Sequence, residues 1–367
     1  MAIEAREIVN AYALRNFCAE VFQKMGVSEE DSRITADILV LADLRGVNSH
    51  GVARLKRYVD GLKNGVMLAQ PDEKVVKETK TTAVIEAGSG LGQPVSKRAM
   101  QKAIDKANDI GIAFVTVRNS NHYGIAGYYS MMALDQDMIG ISMTNTEVLV
   151  VPTFGKDALL GTNPISVAIP AAQERPYVLD MATSVVPRGK IEVYNRLEKP
   201  LPLGWVTDTK GNPSTDAGEI LENFESRAGG GLLPLGGAGE YLSGHKGYGM
   251  MLLVEMLTGI LSGSAFADKV YPKDDDGNPL PANLGHFFGA MRIDYFRDLD
   301  EFKADMDTLI RKLKNSNKSE GQSRIYIHGE KEFEKADKYR KEGIPLHPKV
   351  AKNLKQIADE LDVEYKL

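Results

Sequence analysis

Residues 81–124, TTAVIEAGSGLGQPVSKRAMQKAIDKANDIGIAFVTVRNSNHYG, decide the fold class. Two β-branched runs, TTAVIEA at 81–87 and IAFVTVR at 112–118, have the composition of pleated, half-buried strands. Between them, residues 95–110 put Ala99, Met100, Ala103, Ile104 and Ala107 on one face at helical spacing. Such a helix must bury its apolar face on the sheet that the flanking strands form, so the unit is strand, helix, strand and the class is α/β.

The pattern continues outward on both sides. Toward the C-terminus, IGISMTN, SVAIP and YVLDMA extend the sheet. A Pro- and Gly-rich passage follows Asp180, then an apolar helix over 248–261, a charged surface loop over 273–281 and a strand-like FFGAMRID. A charged helix over 298–313, a strand SRIYIHG and two more charged helices complete the chain. Toward the N-terminus, residues 8–25 repeat apolar side chains at helical spacing, and Ser28 with Glu29, Glu30 and Asp31 opens a second helix that ends near Leu44. A third is expected over 52–64, with Gly65 as its left-handed stop. Both helical ends are expected to pack together as one discontinuous substrate-side and dimerisation domain, 1–75 with 295–367, beside a sheet domain over 76–294.

At 367 residues the chain can bury a large core. Its net charge of −5 offers no basic field to DNA or RNA, so nucleic acid is not an expected partner. The opening MAIEAREIVNAYALRNF carries Glu4 and Glu7 and lacks an apolar core, which argues against a secretory signal and for a cytoplasmic chain. The 248–261 stretch is short for a bilayer and contains Glu255, so no membrane span is expected; it reads as a buried core or subunit-interface helix. The lone Cys18 excludes an intrachain disulfide and a cysteine metal cluster, and no histidine is paired at metal-ligand spacing, so no metal is expected.

Three of the six histidines stand in glycine-bracketed polar motifs. In RGVNSHGVAR at 45–54, Arg54 lies one helical turn beyond His50, so the two can face one cleft beside Ser49. A guanidinium fork suits a substrate carboxylate. The competing reading makes Ser49 the cap of the third helix and Arg54 half of a surface ion pair. NSNHYGIAG at 119–127 follows directly on a strand, where α/β proteins place ligand loops. His122 there can give and take a proton near neutral pH, and Gly124 and Gly127 let a ligand approach the backbone; a structural histidine is the alternative. GSGLGQ at 88–93 falls short of a dinucleotide fingerprint, because Gln93 stands where the last glycine should be, and it reads equally well as a tight turn. GHKGYG at 244–249 offers backbone N–H groups and Lys246 to a phosphate, or is a helix entry that needs small residues. Gly329-Glu330 can cap a helix or touch a ribose.

Taken in order, ADLRGVNSHGVARL, VRNSNHYGIAGYY, GTNPISVAIP, VLDMATSVVPRGKI, LPLGG, GHKGYGM and HGE resemble the malate/L-lactate dehydrogenase family, which is distinct from the Rossmann-type lactate and malate dehydrogenases. Ureidoglycolate, sulfolactate and 2,3-diketogulonate oxidoreductases and piperideine/pyrroline-2-carboxylate reductases belong to it. The resemblance implies a homodimer with a mixed, largely antiparallel central sheet flanked by helices, NAD or NADP bound at a non-Rossmann site, and an active site in an interdomain cleft. It implies that His122 is the proton donor and acceptor and that Ser49, His50 and Arg54 face a small anionic substrate. It places Thr146, Asp180, Met181, Ala182, Gly329 and Glu330 against the cofactor; Lys246 is added on electrostatic grounds. The implied reaction moves a hydride to or from C2 of a 2-hydroxy or 2-oxo acid. Reduction of a cyclic imino acid such as piperideine-2-carboxylate and a catalytically silent nucleotide-binding dimer are the alternatives. The sequence departs from the family pattern at His328, where proline precedes Gly-Glu, and at Pro187, where a small residue is usual.

Overall fold

The computed structural model describes residues 7–367; residues 1–6, with Glu4 of the opening segment, lie outside the described residues. The chain starts with strand β1 (Glu7–Val9) and helices α1 (Ala11–Lys24), α2 (Glu29–Leu44) and α3 (Leu55–Lys63). Periodicity put Ile8 and Val9 in the first helix, but they form β1. The cause is Asn10, whose Oδ1 accepts from the backbone N–H of Tyr12 at 2.8 Å and Ala13 at 3.1 Å and so starts α1 after it. The freed strand pairs antiparallel with Ile344–Leu346. Ser28 caps α2 by accepting from Asp31 N–H at 3.2 Å, as expected. The third helix begins late, because short 3-10 turns at Asn48–His50 and Val52–Arg54 precede α3. Asp43 of α2 holds those turns, accepting from Asn48 Nδ2 at 2.9 Å and from Val52 N–H at 2.7 Å. A Cβ on Gly51 would overlap that carboxylate.

The middle of the chain runs β2 (Lys74–Glu78), β3 (Thr82–Glu86), α4 (Gly92–Ile110), β4 (Ile112–Ser120), α5 (Ala126–Met132), β5 (Met138–Thr144), β6 (Ile165–Ile169) and β7 (Tyr177–Met181). After it come α6 (Arg188–Arg196), β8 (Val206–Thr207), α7 (Ala217–Ser226), β9 (Gly231–Leu232), α8 (Gly244–Glu255) and β10 (Leu284–Arg292). Seven strands form one sheet in the order β2-β3-β4-β10-β5-β6-β7. β3 and β4 are parallel, as their crossover through α4 requires, and the other neighbours are antiparallel. β10 inserts between β4 and β5 and is buried along most of its length, which is why LGHFFGAM lacks a polar face. Ala99, Met100 and Ile104 of α4 pack with Val115, Val117, Tyr129 and Phe288 in one core.

The glycines of 88–92 serve close approach. Gly88 takes φ +57°, and a Cβ on it would come within 2.9 Å of the Asp72 backbone, while a Cβ on Gly92 would overlap Asn121 O and lie 2.7 Å from His122 O. The start of α4 therefore abuts the loop that carries His122. The motif is a tight turn, not a phosphate cradle.

The chain ends with α9 (Leu299–Lys314), α10 (Glu330–Glu342), β11 (Ile344–Leu346) and α11 (Pro348–Leu361). The strand expected at SRIYIHG is irregular: it meets β7 through one backbone bond, Val178 N–H to His328 O at 3.1 Å, and then turns into α10. Leu14, Phe22, Leu39 and Leu55 from the N-terminal helices share a core with Ala336, Leu346, Leu354 and Ile357. Helix α9 stands apart from that core, and its Asp307 accepts from the N–H groups of Ala172, Gln173 and Glu174 between β6 and β7. α8 continues into a π-turn at Met256–Ile260. Buried Glu255 accepts from Asn163 Nδ2 at 2.6 Å and Ala267 N–H at 2.9 Å, while Leu253, Met256, Ile260 and Leu261 are exposed. No helix among the described residues is long and apolar enough to cross a membrane.

Candidate active site

A cavity of about 500 Å³ opens where the α2–α3 connection, the β4–α5 loop, the end of β7 and residues 326–332 converge. His122 stands on its wall. The loop is fixed from below by Asn121, whose Nδ2 donates to Ser89 O and Gly90 O, both at 2.9 Å. His122 Nδ1 lies 2.6 Å from Tyr58 Oη on α3, so Nε2 is the nitrogen left for the cavity. Its ring stacks on His50 with centroids 5.5 Å apart and planes at 25°. His50 Nδ1 is 2.9 Å from Ser49 Oγ.

Tyr58 is fully buried, and burial pushes its phenol well above the ordinary value, so the hydroxyl stays protonated. It can donate to Nδ1 or accept from Nδ1–H, which lets Nε2 alternate between proton carrier and lone pair. Burial holds the His122 imidazole well below its usual range, and the positive charges of Arg57 and Arg54 and the neighbouring His50 imidazole push the same way. His50 is lowered to about 4, again by burial first and then by Arg54 and Arg57. This corner of the cleft is thus a cationic field that an anion would neutralise.

Ser49 and Arg54 behave as neither helix cap nor surface ion pair. Ser49 turns to His50, while Arg54 Nε donates to Ser49 O at 2.6 Å and has no carboxylate within ion-pair distance among the described residues.

Asp180 and Met181 at the end of β7 and Ala182 after it also line the cavity, as do Thr146 and Thr162. Asp180 faces the open cavity but is otherwise ringed by protein. Desolvation raises its carboxyl to about 6, against the pull of Gly127 N–H at 2.8 Å and the charge of Arg45. Thr146 and Thr162 hydroxyls are 3.2 Å apart. Gly329 takes φ +90°, and a Cβ there would come within 2.9 Å of the Val178 side chain. Hydroxyls, a ringed carboxylate and apolar Ile125, Val178 and Leu284 form a donor set that fits a dinucleotide.

Of the sequence-predicted residues, Ser49, His50, His122, Thr146, Asp180, Met181, Ala182 and Gly329 line this cavity, and so do the two departures, Pro187 and His328. Arg54 is not among the lining residues; it is held beside them by its bond to Ser49 O, and its charge reaches His50. Glu330 is turned away: its carboxylate takes Ile327 N–H at 3.1 Å, Lys314 Nζ at 2.7 Å and Arg324 Nη2 at 3.1 Å, and so fixes the Gly329 bend. Lys246 is exposed at the start of α8, off the cavity lining. Tyr58, Arg57 and Asp43 were missed. Only the helical spacing of Tyr58 and Arg57 from Arg54 hints at the first two, and nothing in ILVLADL marks Asp43 as a tether. His286, near His122, is locked by Thr144 Oγ1 and Ser120 Oγ, each at 2.8 Å, so both of its nitrogens are occupied. Among the described residues no group of three or more His, Cys, Asp or Glu could hold a metal ion.

The chain matches the malate/L-lactate dehydrogenase family model over residues 9–355. It is 49% identical over 351 residues to a malate dehydrogenase of Pyrococcus horikoshii, covering 96% of this chain and 94% of that one. It is 43% identical over 343 residues to an L-sulfolactate dehydrogenase of Methanocaldococcus jannaschii, covering 93% and 94%. Among solved structures, malate dehydrogenase from Entamoeba histolytica superposes with a TM-score of 0.93 at 37% identity, covering 99% of this chain and 100% of that one.

Proposed function

Because the chain belongs to the malate/L-lactate dehydrogenase family of oxidoreductases, we propose that it moves a hydride to or from C2 of a small 2-hydroxy or 2-oxo acid, with His122 as acid and base. The observation that carries this reading is the pairing of His122, backed by Tyr58 at 2.6 Å, with His50 and an Arg54 that has no carboxylate partner. Arg54 and His50 hold the substrate carboxylate, which turns the C2 oxygen toward His122 Nε2. Thr146, Asp180, Met181, Ala182 and Gly329 would hold NAD or NADP, which when bound would supply or accept the hydride. In reduction His122 Nε2–H gives its proton to the C2 oxygen; in oxidation the neutral imidazole takes it back, as Tyr58 Oη accepts from Nδ1–H. The test is a panel of 2-oxo and 2-hydroxy acids with NADH, NADPH and their oxidised forms. Turnover of a 2-oxo acid supports the reading. Reduction of piperideine-2-carboxylate alone, or no turnover at all, contradicts it.

The depressed imidazole sets the pH dependence. A lowered value keeps His122 neutral at neutral pH, and oxidation uses that form. For a 2-hydroxy acid, kcat/KM is therefore expected to stay level as pH falls through about 7 and to decline only below the ordinary imidazole value of ~6.5. Reduction takes up a proton, so its kcat/KM rises as pH falls over the same range. An oxidation limb that collapses at or above about pH 7 would contradict the depressed imidazole.

The exposed apolar face of Leu253, Met256, Ile260 and Leu261 supports a homodimer in which a second copy covers it. Sedimentation of the protein at the mass of one chain would overturn that part.

A further inference from the structure

Arg45, at the C-terminal end of α2, is only 5% exposed and yet lines the cavity. Its guanidinium lies 4.6 Å from the centroid of the Phe333 ring, in the first turn of α10, a contact that supplies no hydrogen-bond acceptor. Among the described residues its side chain makes no hydrogen bond and has no carboxylate within ion-pair distance; Glu332 and Asp180, on the same cavity wall, act on it only from farther away. The other buried charged side chains are each held by several bonds: Asp43 by Asn48 and Val52, Glu255 by Asn163 and Ala267, Asp307 by Ala172 to Glu174, and Glu330 by Lys314 and Arg324. A buried charge without a partner is costly, so Arg45 calls for acceptors from whatever enters the cavity.

The same wall holds a second set of unused donors. α10 begins behind Gly329, and no side chain caps it. The backbone N–H groups of Lys331 and Glu332 have no acceptor among the described residues, and both residues line the cavity with Gly329. A helix N-terminus of this kind carries about half a positive charge and favours phosphate oxygens. The other two phosphate candidates are absent from the cavity: the Gly88 turn is closed against the His122 loop, and Lys246 is off the lining. The charges that act on His50 are those of Arg54 and Arg57, so Arg45 serves a separate part of the cleft. We propose that Arg45 and the first turn of α10 form the subsite for the pyrophosphate of the dinucleotide, whose oxygens accept from the guanidinium and from the N–H groups of Lys331 and Glu332. Asp180 and Glu332 favour this group over a terminal phosphate, because a pyrophosphate diester carries one charge per phosphorus and a monoester close to two. The inference rests on the dehydrogenase reading above.

The experiment measures Kd for NADH and NADPH by cofactor fluorescence in the wild type, Arg45→Gln and Arg45→Lys, over a series of KCl concentrations. In Arg45→Gln both dinucleotides are expected to bind about 10- to 100-fold more weakly, the range for a charge-assisted hydrogen bond, and Arg45→Lys restores part of the loss. The rise of Kd with salt is expected to be flatter in Arg45→Gln than in the wild type, because one screened charge contact is gone. An unchanged Kd for NADH, or a weaker one with the wild-type salt dependence, as a purely structural arginine would give, overturns the proposal. So does a loss confined to NADPH, which would put the contact at the 2′-phosphate. A wild type that binds neither cofactor refutes the dehydrogenase reading itself, and the proposal with it. Should Arg45→Gln not fold, displacement of NADH from the wild type decides: ADP is expected to compete at least about tenfold more tightly than adenosine, and parity overturns the assignment.

Discussion

Replacing His122 with alanine is expected to lower turnover by about 10²- to 10⁴-fold, the usual cost of removing a positioned acid and base, while dinucleotide affinity stays close to that of the wild type. The two effects separate because the groups assigned to the cofactor, Thr146 and Asp180 to Ala182, belong to the β5 and β7 side of the cavity. The alanine also strips the Tyr58 hydroxyl of its partner. An orphaned buried hydroxyl costs about 1–3 kcal/mol, so a lower melting temperature is expected as well. Steady-state kinetics of 2-oxo acid reduction, with cofactor binding followed by NADH fluorescence well below the melting temperature, keep stability out of the comparison. Near wild-type turnover in the variant would remove His122 from the mechanism.

Gly92→Ala is expected to damage the enzyme from a position that lines no part of the cavity. The added Cβ would overlap the carbonyl oxygen of Asn121 and press on that of His122. That loop cannot simply give way, because Asn121 is bonded to the backbone of Ser89 and Gly90. Overpacking of this kind costs about 1–3 kcal/mol. A His122 displacement of the order of 1 Å can cost up to about 10²-fold in rate, because the proton must be delivered to one oxygen at hydrogen-bond distance. Gly189→Ala in α6 is the matched control, since nothing lies within 4 Å of its added Cβ. Thermal melts and kcat should show a loss for Gly92→Ala and none for Gly189→Ala. Equal behaviour of the two variants would mean that the contact with the His122 loop is slack.

The strand, helix and strand at 81–118 were legible because the core face of α4 is written in residues three and four apart, and only the sheet covers it. The position of β10 was not legible. Which strands it separates depends on pairing with partners far away in the chain, and its continuous apolar run fits any buried strand. Ile8 and Val9 were misread because Asn10 ends the helical pattern by a local side-chain bond, while the strand they join is formed with residues 344–346. SRIYIHG looked like a strand by composition, yet it makes one backbone bond to β7 and is held otherwise by side-chain contacts such as the Glu330 tether and the His328 ring on Tyr177.

In the site, His122, His50 and Ser49 announced themselves through polar, glycine-bracketed motifs. Tyr58 did not, because an aromatic among Leu55, Val59 and Leu62 reads as core; its partner is 64 residues away. Arg57 was one cation among many until its charge was seen to act on His122. Lys246 was drawn in by the charge of its motif, and the fold leaves it exposed at the start of α8.

The central claim is direct hydride delivery to C2 of the substrate. Its most direct measurement is reduction of a 2-oxo acid by NADH or NADPH that carries deuterium at nicotinamide C4 on the transferred face, with the product analysed by mass spectrometry and NMR. The account predicts one deuterium, on C2 of the hydroxy acid, with the hydroxyl proton drawn from solvent. A hydroxy acid formed without deuterium at C2 would contradict it.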